Sequence, residues 1–284
     1  MEKTHLTDRA SVEAHIEATE LGESPAEMRA GFERLAGPQP PSRTETRGGH
    51  EVLSPVVAEG VAGPPLIFFH GGGYVFGSPE SHMTLAARLA RSGVDIRLPR
   101  YPLAPEAPWP AQLDAALAVV DAISGPVALG GISAGGHLAL NAALARPGSV
   151  SALLLISPNT DRSGASRTRR ALEHLDLMND DATDARLARM AMGNADPRDP
   201  QVSPRLADLS RLPPTRILVG AREILLDDAL LLARAAALHG RPVSLDLASG
   251  LFHMAQLWPE AIPQAGGMLD QAADWLSAER SSAG

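Results

Sequence analysis

Residues 126–142 read PVALGGISAGGHLALNA, and this stretch decides the predicted fold. The apolar run Val127–Leu129 predicts a short strand, and the residues after the glycines predict a helix. Between the two, the pattern G-x-S-x-G puts Ser133 on a sharp strand-to-helix turn, which is typical of a nucleophile elbow. Gly131 and Gly135 flank the serine, where side chains would collide with neighbouring backbone. Taken alone, the motif is also compatible with a tight turn that has no chemical role.

A second glycine-rich motif, HGGG at residues 70–73, follows another apolar run, Leu66–Phe69. Acyl transfer passes through a tetrahedral oxyanion, and backbone N–H groups aimed at that oxygen stabilise the transition state by roughly 3 kcal/mol each. Glycines allow a loop to turn such donors inward. A flexible loop after a strand is the plainer interpretation of this motif by itself. Both motifs together, in this order and each behind a strand, predict a serine hydrolase.

A catalytic serine needs a base, and His253 is the best placed of the nine histidines. It lies in the loop after the predicted strand Val243–Leu247, which gives the chain order serine, acid, histidine that is typical of α/β-hydrolases. His82 and His137 fall on predicted helices, where a packed or solvent-facing histidine is the simpler interpretation. His70 is expected to anchor its own loop. The sequence therefore predicts His253 as the general base.

The acid that orients this histidine should follow the preceding strand. The predicted strand Arg216–Val219 is followed by Glu223 on the strand-end loop and by Asp227 and Asp228 at the start of a helix. We therefore predict Glu223 as the carboxylate partner of the base, with a nearby aspartate as the alternative. If Glu223 has no catalytic role, it is expected to be a surface carboxylate paired with Arg222.

Composition narrows the class of protein. The net charge of −8 disfavours nucleic acid as a partner, because phosphate binding needs a basic surface. The chain has no cysteine, which excludes disulfides, thiolate nucleophiles and cysteine-ligated metals. We find no metal-ligand spacing and no glycine-rich phosphate loop, so no cofactor or metal is expected. The first residues contain no apolar signal segment and no stretch is long enough to span a bilayer, which predicts a cytoplasmic protein.

Strand and helix patterns alternate along most of the chain, which predicts a mostly parallel central sheet with helices on both faces. The polar segment 43–60 carries turn signals at Gly48, Gly49 and Gly60 and is expected to form a hairpin. The remaining predicted strands are Val94–Leu98 and Ala152–Ile156, and the predicted helices are Pro79–Arg91, Pro110–Ile123, Ala134–Ala145, Asp227–His239 and Ala265–Ala278.

Two segments interrupt the alternation. Residues 1–36 read as amphipathic helix. Residues 160–212 lie between two predicted strands and are too long for an ordinary connection. We predict a single domain over the whole chain, residues 1–284, with a helical cap formed by 1–40 and 160–212. The helical patches of the longer segment are Arg169–Leu177 and Thr183–Met192. Four of its arginines form a local basic patch that would face solvent or receive an acidic substrate: Arg162, Arg167, Arg169 and Arg170.

Five motifs now stand together: HGGGY at 70–74, YPLAPE at 101–106, GISAGG at 131–136, GAREILLDD at 220–228 and GLFH at 250–253. They resemble the motifs of bacterial hormone-sensitive-lipase-like carboxylesterases, and the resemblance covers the chain from about residue 64 to 258. It implies the α/β-hydrolase fold. It also implies an oxyanion hole formed by the N–H groups of Gly72, Gly73 and Ala134.

The chain departs from the family pattern at four positions, which predicts a divergent member. An isoleucine replaces an aspartate beside the predicted nucleophile, so a supporting polar contact is lost. The triad acid is a glutamate, and the other two changes fall in the YPLAPE motif and after the strand at 152–156. The four positions are Ile132, Glu223, Pro102 and Asn159. The substrate pocket is expected to include Tyr74, Phe76 and Phe252.

These features predict an esterase that acts on small or medium acyl esters through a Ser-His-Glu triad and an acyl-enzyme. A lactone hydrolase or a biosynthetic tailoring hydrolase would share this chemistry and differ in the cap. A ligand-binding protein on a hydrolase scaffold is a further alternative, but such proteins typically have a broken triad, whereas Ser133, Glu223 and His253 are all chemically competent. The predicted partner is a small-molecule ester or lactone, and a homodimer is left open.

Overall fold

The computed structural model describes residues 6–56 and 64–282, with side chains described as far as residue 279. In this part of the chain one sheet contains eight strands: β1 (Ser42–Arg47), β2 (His50–Pro55), β3 (Leu66–Phe69), β4 (Ile96–Pro99), β5 (Val127–Ile132), β6 (Val150–Ile156), β7 (Thr215–Gly220) and β8 (Val243–Ala248). Their order across the sheet is β1-β2-β4-β3-β5-β6-β7-β8. Strands β3 to β8 pair in parallel, and the β1–β2 hairpin joins the edge at β4 in antiparallel orientation.

The sheet confirms the predicted α/β architecture. Strand β3 has the predicted bounds, whereas β4 begins two residues later and ends one residue later than predicted. The carbonyl of Asp95, just before β4, accepts the Leu66 N–H at 2.7 Å. Strand β5 is buried along its whole length. Since alternate side chains of a strand point to opposite faces, both faces of the sheet are covered there. The predicted hairpin turns at Gly48 and Gly49, while its last residues, 57–60, lie outside the described residues.

The described helices are α1 (Arg9–Ala18), α2 (Pro25–Ala36), α3 (Met83–Arg91), α4 (Ala111–Asp121), α5 (Ala134–Ala145), α6 (Thr168–Ala171), α7 (Asp181–Met192), α8 (Leu226–Leu238) and α9 (Pro263–Ser282). Helix α5 has the predicted bounds and packs against β3, β5 and β6. Ten of its residues are buried. The helix that follows the elbow therefore lies in the core, which fixes the position of its first residue firmly relative to the sheet.

The N-terminal segment is two helices where one amphipathic stretch was predicted. Helix α2 begins with a capping box, in which Ser24 Oγ accepts the Glu27 N–H at 3.3 Å and Glu27 Oε2 accepts the Ser24 N–H at 2.9 Å. Pro25 occupies the first turn, where its missing N–H costs nothing. The sequence SPAE at 24–27 carries this start signal, so the break between α1 and α2 is readable from the residues.

The long segment between β6 and β7 contains α6 and α7. The predicted helix Arg169–Leu177 is wrong beyond Ala171, because the chain leaves the helix after α6 and turns back towards the sheet. Arg186 on α7 donates to Glu23 Oε2 at 2.9 Å, just before α2. The two segments predicted to form the cap therefore contact each other. Across residues 6–56 and 64–282, none of the helices has the length and apolar character needed to cross a membrane.

Candidate active site

Ser133 lies at the junction of β5 and α5 with a left-handed backbone, φ 56° and ψ −120°. A non-glycine residue with positive φ is strained and persists only when its surroundings hold it. The flanking glycines explain how the turn closes. A Cβ on Gly131 would lie 2.1 Å from the Gly135 carbonyl oxygen, and a Cβ on Gly135 would lie 2.0 Å from the Phe69 carbonyl oxygen. Only glycine fits at either position without moving backbone.

Three side chains from distant parts of the sequence meet at the ends of β5, β7 and β8. Ser133 Oγ is 3.0 Å from His253 Nε2, and His253 Nδ1 is 2.9 Å from Glu223 Oε2. All three residues are buried, with Ser133 the most accessible at 8% exposure. An imidazole that donates its Nδ1–H to a carboxylate presents the lone pair of Nε2 to its other neighbour. The serine hydroxyl is therefore placed to donate to His253.

Glu223 is held on both of its oxygens. Its Oε1 accepts a hydrogen bond from Ser157 Oγ at 2.9 Å and another from the Gly220 N–H, while Oε2 faces His253. The residue has no solvent exposure, so the interpretation as a surface carboxylate paired with Arg222 is wrong. Although its side chain is one methylene longer than that of aspartate, Glu223 is placed so that Oε2 contacts the imidazole while Oε1 accepts two hydrogen bonds.

The neighbouring aspartates serve other parts of the structure. Asp227 accepts the N–H of Arg167 at 2.7 Å and the N–H of Thr168 at 3.3 Å, near the start of α6. Asp228 accepts the N–H groups of Thr160 and Asp161, both at 2.8 Å. Both carboxylates tie the inserted segment to α8. No hydrogen bond joins either of them to His253 among the described residues.

Opposing effects act on the pKa of His253. Burial lowers it, because the charged imidazolium loses water. The hydrogen bond and negative charge of Glu223, together with the charges of Asp176 and Asp184, raise it and outweigh burial. The net effect is a pKa above the ordinary value for histidine. A raised pKa strengthens the imidazole as a proton acceptor, which suits a general base.

The glycine loop lies beside Ser133. A Cβ on Gly71 would be 3.4 Å from Ser133 Cβ, and the next two glycines have positive φ, 111° at Gly72 and 60° at Gly73. In the described part of the chain, the N–H groups of Gly72, Gly73 and Ala134 donate no hydrogen bond. The carbonyl oxygen of Gly72 instead accepts the N–H groups of Val75 and Phe76 at 3.0 Å, which closes the loop on itself.

Buried histidines and a tyrosine support this loop. His70 Nδ1 lies 2.8 Å from the Gly71 carbonyl oxygen, and Tyr101 Oη donates to the His70 carbonyl at 2.8 Å, as expected of an anchoring residue. The Gly71 N–H donates to His82 Nε2 at 3.0 Å, a role that the sequence did not indicate. Burial lowers the pKa of His70 to about 3 and that of His82 well below its usual value. Both rings are therefore neutral, and His82 can accept.

A small cavity of about 30 Å³ opens at Ser133. Six of its lining residues have large apolar side chains, which come from the N-terminal segment, the glycine loop, the inserted segment and the loop after β8: Leu21, Phe32, Phe76, Met178, Leu187 and Met254. Of the three predicted pocket residues, only Phe76 lines this cavity. Tyr74 is buried and its Oη lies 2.6 Å from His137 Nδ1, and Phe252 packs near Trp258 with ring centroids 6.5 Å apart. The pocket prediction is corrected at Tyr74 and Phe252.

A buried carboxylate from the inserted segment also faces this cavity. Asp184 lines the cavity and accepts hydrogen bonds from Arg162 at 2.8 Å and Arg169 at 2.5 Å, and Asn159 donates to it at 3.0 Å. Arg169 also donates to Asp228 at 2.9 Å. Burial would raise the pKa of Asp184, but the two guanidinium groups hold it far below its usual range. The predicted basic patch is thus wrong for Arg162 and Arg169, since both are committed to carboxylates.

The departures from the family pattern fit this geometry. Ile132 is fully buried at the end of β5 and pairs across the sheet with Ile156, so an apolar contact replaces the polar one. Asn159 accepts from Arg169 at 3.1 Å while donating to Asp184.

In the described residues, no group of three histidine, cysteine or acidic side chains is placed to hold a metal ion.

The arrangement defines the class of protein. A nucleophile elbow after a central parallel strand, a glycine loop beside it and an imidazole–carboxylate pair from the next strands are the features of the α/β-hydrolase fold. The sequence profile of the α/β-hydrolase-fold family matches residues 66–257. Similar proteins include an acetyl-hydrolase from Streptomyces hygroscopicus, 35% identical over 75% of this chain and 75% of that protein. An esterase from Acinetobacter venetianus is 33% identical over 75% of this chain and 74% of its own length.

Solved structures are similar over nearly the entire chain. The crystal structure of a hormone-sensitive lipase from a metagenome library has a TM-score of 0.87 and 27% identity, with 98% of each chain covered. An esterase from the bacterial hormone-sensitive lipase family has a TM-score of 0.86 and 27% identity over 98% of this chain and 99% of that one. The chain belongs to the α/β-hydrolase-fold family, as one of its bacterial hormone-sensitive-lipase-like carboxylesterases.

Proposed function

We propose that this chain hydrolyses esters of small acyl groups through Ser133, His253 and Glu223, by way of an acyl-enzyme. The observation that carries the proposal is the unbroken hydrogen-bond chain from Ser133 Oγ through the imidazole to the glutamate, with distances of 3.0 and 2.9 Å. A protein that only binds a ligand has no need of a buried, fully aligned triad. The strained backbone of Ser133 supports the same role, because such strain is typical of functional positions.

In the first half of the reaction, His253 Nε2 takes the proton of Ser133 Oγ as the oxygen attacks the ester carbonyl. Glu223 stabilises the resulting imidazolium, and its fixed oxygens keep the ring in place. The N–H groups of Gly72, Gly73 and Ala134 bind the oxyanion. These donors have no partner in the described structure, so they are free for that purpose.

The intermediate then collapses. The C–O bond to the alcohol breaks, and His253 gives its proton to the leaving oxygen, which leaves the acyl group on Ser133. Water enters, loses a proton to His253 and attacks the acyl-enzyme through the same oxyanion site. The carboxylic acid departs and the serine regains its proton.

The size of the cavity supports a small acyl group. The cavity beside Ser133 measures only about 30 Å³, which favours a short acyl chain over a long one. Leu21 and Phe32 from the N-terminal segment and Leu187 from the inserted segment limit it. We therefore propose residues 1–40 and 160–212 as the cap that sets acyl length. One relative is named acetyl-hydrolase and another, from Pseudomonas putida, ethyl acetate hydrolase, which supports acetyl as the acyl group.

The proposal is tested with Ser133→Ala and a panel of p-nitrophenyl acetate, butyrate and octanoate. We expect kcat to fall by roughly 10⁴-fold or more for each ester, since the nucleophile is lost. Ser210→Ala, an exposed serine in the inserted segment, is the matched control and should keep full activity. Circular dichroism should show both variants folded.

Two results would contradict the proposal. Wild-type turnover by Ser133→Ala would exclude the mechanism. A wild-type preference for octanoate over acetate would exclude the small acyl site. Faster turnover of a small lactone than of every linear ester would reassign the substrate to lactones while leaving the triad in place.

The acid is tested separately with Glu223→Gln. The amide keeps the shape of the side chain but cannot stabilise the imidazolium, so we expect kcat to fall by about 10³- to 10⁴-fold. Asp227→Asn is the comparison, because Asp227 only accepts backbone N–H groups at α6 and should lose less than about tenfold. A larger loss for Asp227→Asn than for Glu223→Gln would move the acid to Asp227.

A further inference from the structure

A second carboxylate reaches the predicted triad from the inserted segment. Asp176 lies between α6 and α7, in the part of the chain that turns back towards the sheet. Its Oδ1 accepts the N–H of His253 at 3.3 Å and that of Met178 at 3.1 Å, and its Oδ2 accepts the N–H of Ile224 at 2.9 Å. The mechanism proposed above makes no use of this residue.

Two of these hydrogen bonds join Asp176 to the loops that carry the base and the acid. One is made to the backbone of the base itself, and the other to the residue directly after Glu223. Asp176 therefore links the loop after β7 to the loop after β8 at the positions of acid and base. The loops also join through the Arg222 N–H and the Leu251 carbonyl oxygen at 3.0 Å, but that bond precedes both triad residues in the chain.

The charge of Asp176 acts on the same pair. It is one of three carboxylates that raise the pKa of His253, together with Glu223 on the loop after β7 and Asp184 on α7. Burial raises the pKa of Asp176 itself to about 6, and the charge of Glu223 adds to that rise. The charge of His253 and the N–H groups of Ile224 and Met178 act in the opposite direction.

We propose that Asp176 is a positioning residue for the base, through which the inserted segment fixes and polarises His253. The inference rests on the proposed function, because it assigns a role relative to that triad. A 1 Å displacement of a catalytic group can cost about a hundredfold in rate, so a bond to the backbone of the base has a large effect on kcat. Asp176 is not among the residues that line the cavity at Ser133, so we expect its loss to change kcat rather than KM.

The test compares Asp176→Asn and Asp176→Ala with a matched control, Asp208→Asn. Asp208 lies in the same inserted segment and accepts the N–H two residues ahead, from Ser210 at 2.9 Å, as Asp176 does from Met178. Asparagine retains one acceptor oxygen, so it can accept from the N–H of His253 or from that of Ile224 but not through both of its side-chain atoms. Alanine retains none. The measurements are kcat and KM for p-nitrophenyl acetate from pH 5 to 9, with thermal unfolding for each variant.

For Asp176→Asn we expect kcat to fall by about tenfold with KM nearly unchanged, and for Asp176→Ala by about a hundredfold. The acid limb of kcat/KM reports the pKa of the base in the free enzyme. Removing a negative charge that raises the pKa of His253 lowers that pKa, so this limb should move to lower pH by roughly one pH unit in Asp176→Asn. Asp208→Asn should change neither the limb nor kcat.

The displaced acid limb separates positioning from stability, since a variant that is only less stable keeps the wild-type pH profile in its folded fraction. An unmoved limb with kcat within twofold of wild type in Asp176→Asn would overturn the inference. A rise in KM at constant kcat would overturn it as well, by placing the residue on the substrate. If Ser133→Ala abolishes turnover and Asp176→Asn gives either result, the inference alone fails and the triad stands.

Discussion

The elbow at residues 131–135 carries Ser133, and the inserted segment at residues 160–212 lies against it. The two regions are held in place by different kinds of contact. The elbow relies on backbone: it closes because Gly131 and Gly135 have no side chains to separate their neighbours. The inserted segment relies on side chains, with buried arginines and aspartates that pair across long stretches of sequence. The elbow fixes the position of Ser133, and the inserted segment contributes side chains that line the cavity beside it.

This difference predicts how each region responds to substitution. The elbow tolerates no added atom, since even a methyl group meets backbone oxygen. The inserted segment tolerates changes of size more readily than the loss of a charge, because an unpaired buried carboxylate is costly. Three substitutions separate these behaviours, from the largest expected effect on stability to the smallest.

Arg169→Met breaks the paired charges of the inserted segment. The Arg169 side chain is only 9% exposed and contacts Asp184 and Asp228 at 2.5 and 2.9 Å. Removing it leaves two buried carboxylates short of a partner, which should cost about 3–5 kcal/mol of unfolding free energy. Urea unfolding monitored by circular dichroism measures the loss. A loss below about 1 kcal/mol would mean that water readily replaces the guanidinium.

Gly135→Ala tests the backbone construction. The added methyl would meet the Phe69 and His70 carbonyl oxygens at 2.0 and 2.4 Å, so the start of α5 must shift away from β3. We expect a loss of about 2 kcal/mol in stability and most of the esterase activity. Gly267→Ala on α9 is the control: its Cβ has open space, so the helix should gain up to about 1 kcal/mol. Full activity in Gly135→Ala would show that the elbow is less tightly packed than its contacts indicate.

Arg170→Met is the smallest change and belongs to the same basic run as Arg169. Its side chain is 91% exposed, and its contact with Asp181 is 3.7 Å long. Stability should stay within about 0.5 kcal/mol of wild type, and the esterase rate should be unchanged. Because both variants replace an arginine with methionine, the difference between their unfolding free energies reports the effect of burying the arginine and its ion pairs. Equal losses in the two variants would refute the distinction drawn between buried and exposed arginines.

Glu223 shows how far residues alone could assign the site. Chain order placed an acid after β7, and the structure brings Glu223 rather than Asp227 or Asp228 to the imidazole. The sequence could not decide this firmly, because three carboxylates stand within six positions and only their direction separates them. Asp227 and Asp228 point to the inserted segment, where they accept backbone N–H groups of residues 60 and 68 positions earlier in the chain.

Some features could not be predicted at all. His82, Asp176 and Asp184 carry no motif, and each acquires its surroundings from residues far away in sequence. Tyr74 and Phe252, which were expected at the pocket, belong to the HGGGY and GLFH motifs. A neighbour in sequence points the opposite way when the backbone turns, and the positive φ of Tyr74 and Met254 marks such turns on either side of the site.

The sequence alone determined the strand–helix alternation, the elbow and the glycine loop, because these depend on local periodicity and on positions where a side chain cannot fit. Tertiary structure alone decided which carboxylate contacts the imidazole, which arginines pair with buried carboxylates and which side chains line the cavity beside Ser133. Those outcomes are set by distances between side chains on separate strands and loops, and such distances exist only once the sheet and the inserted segment have packed together.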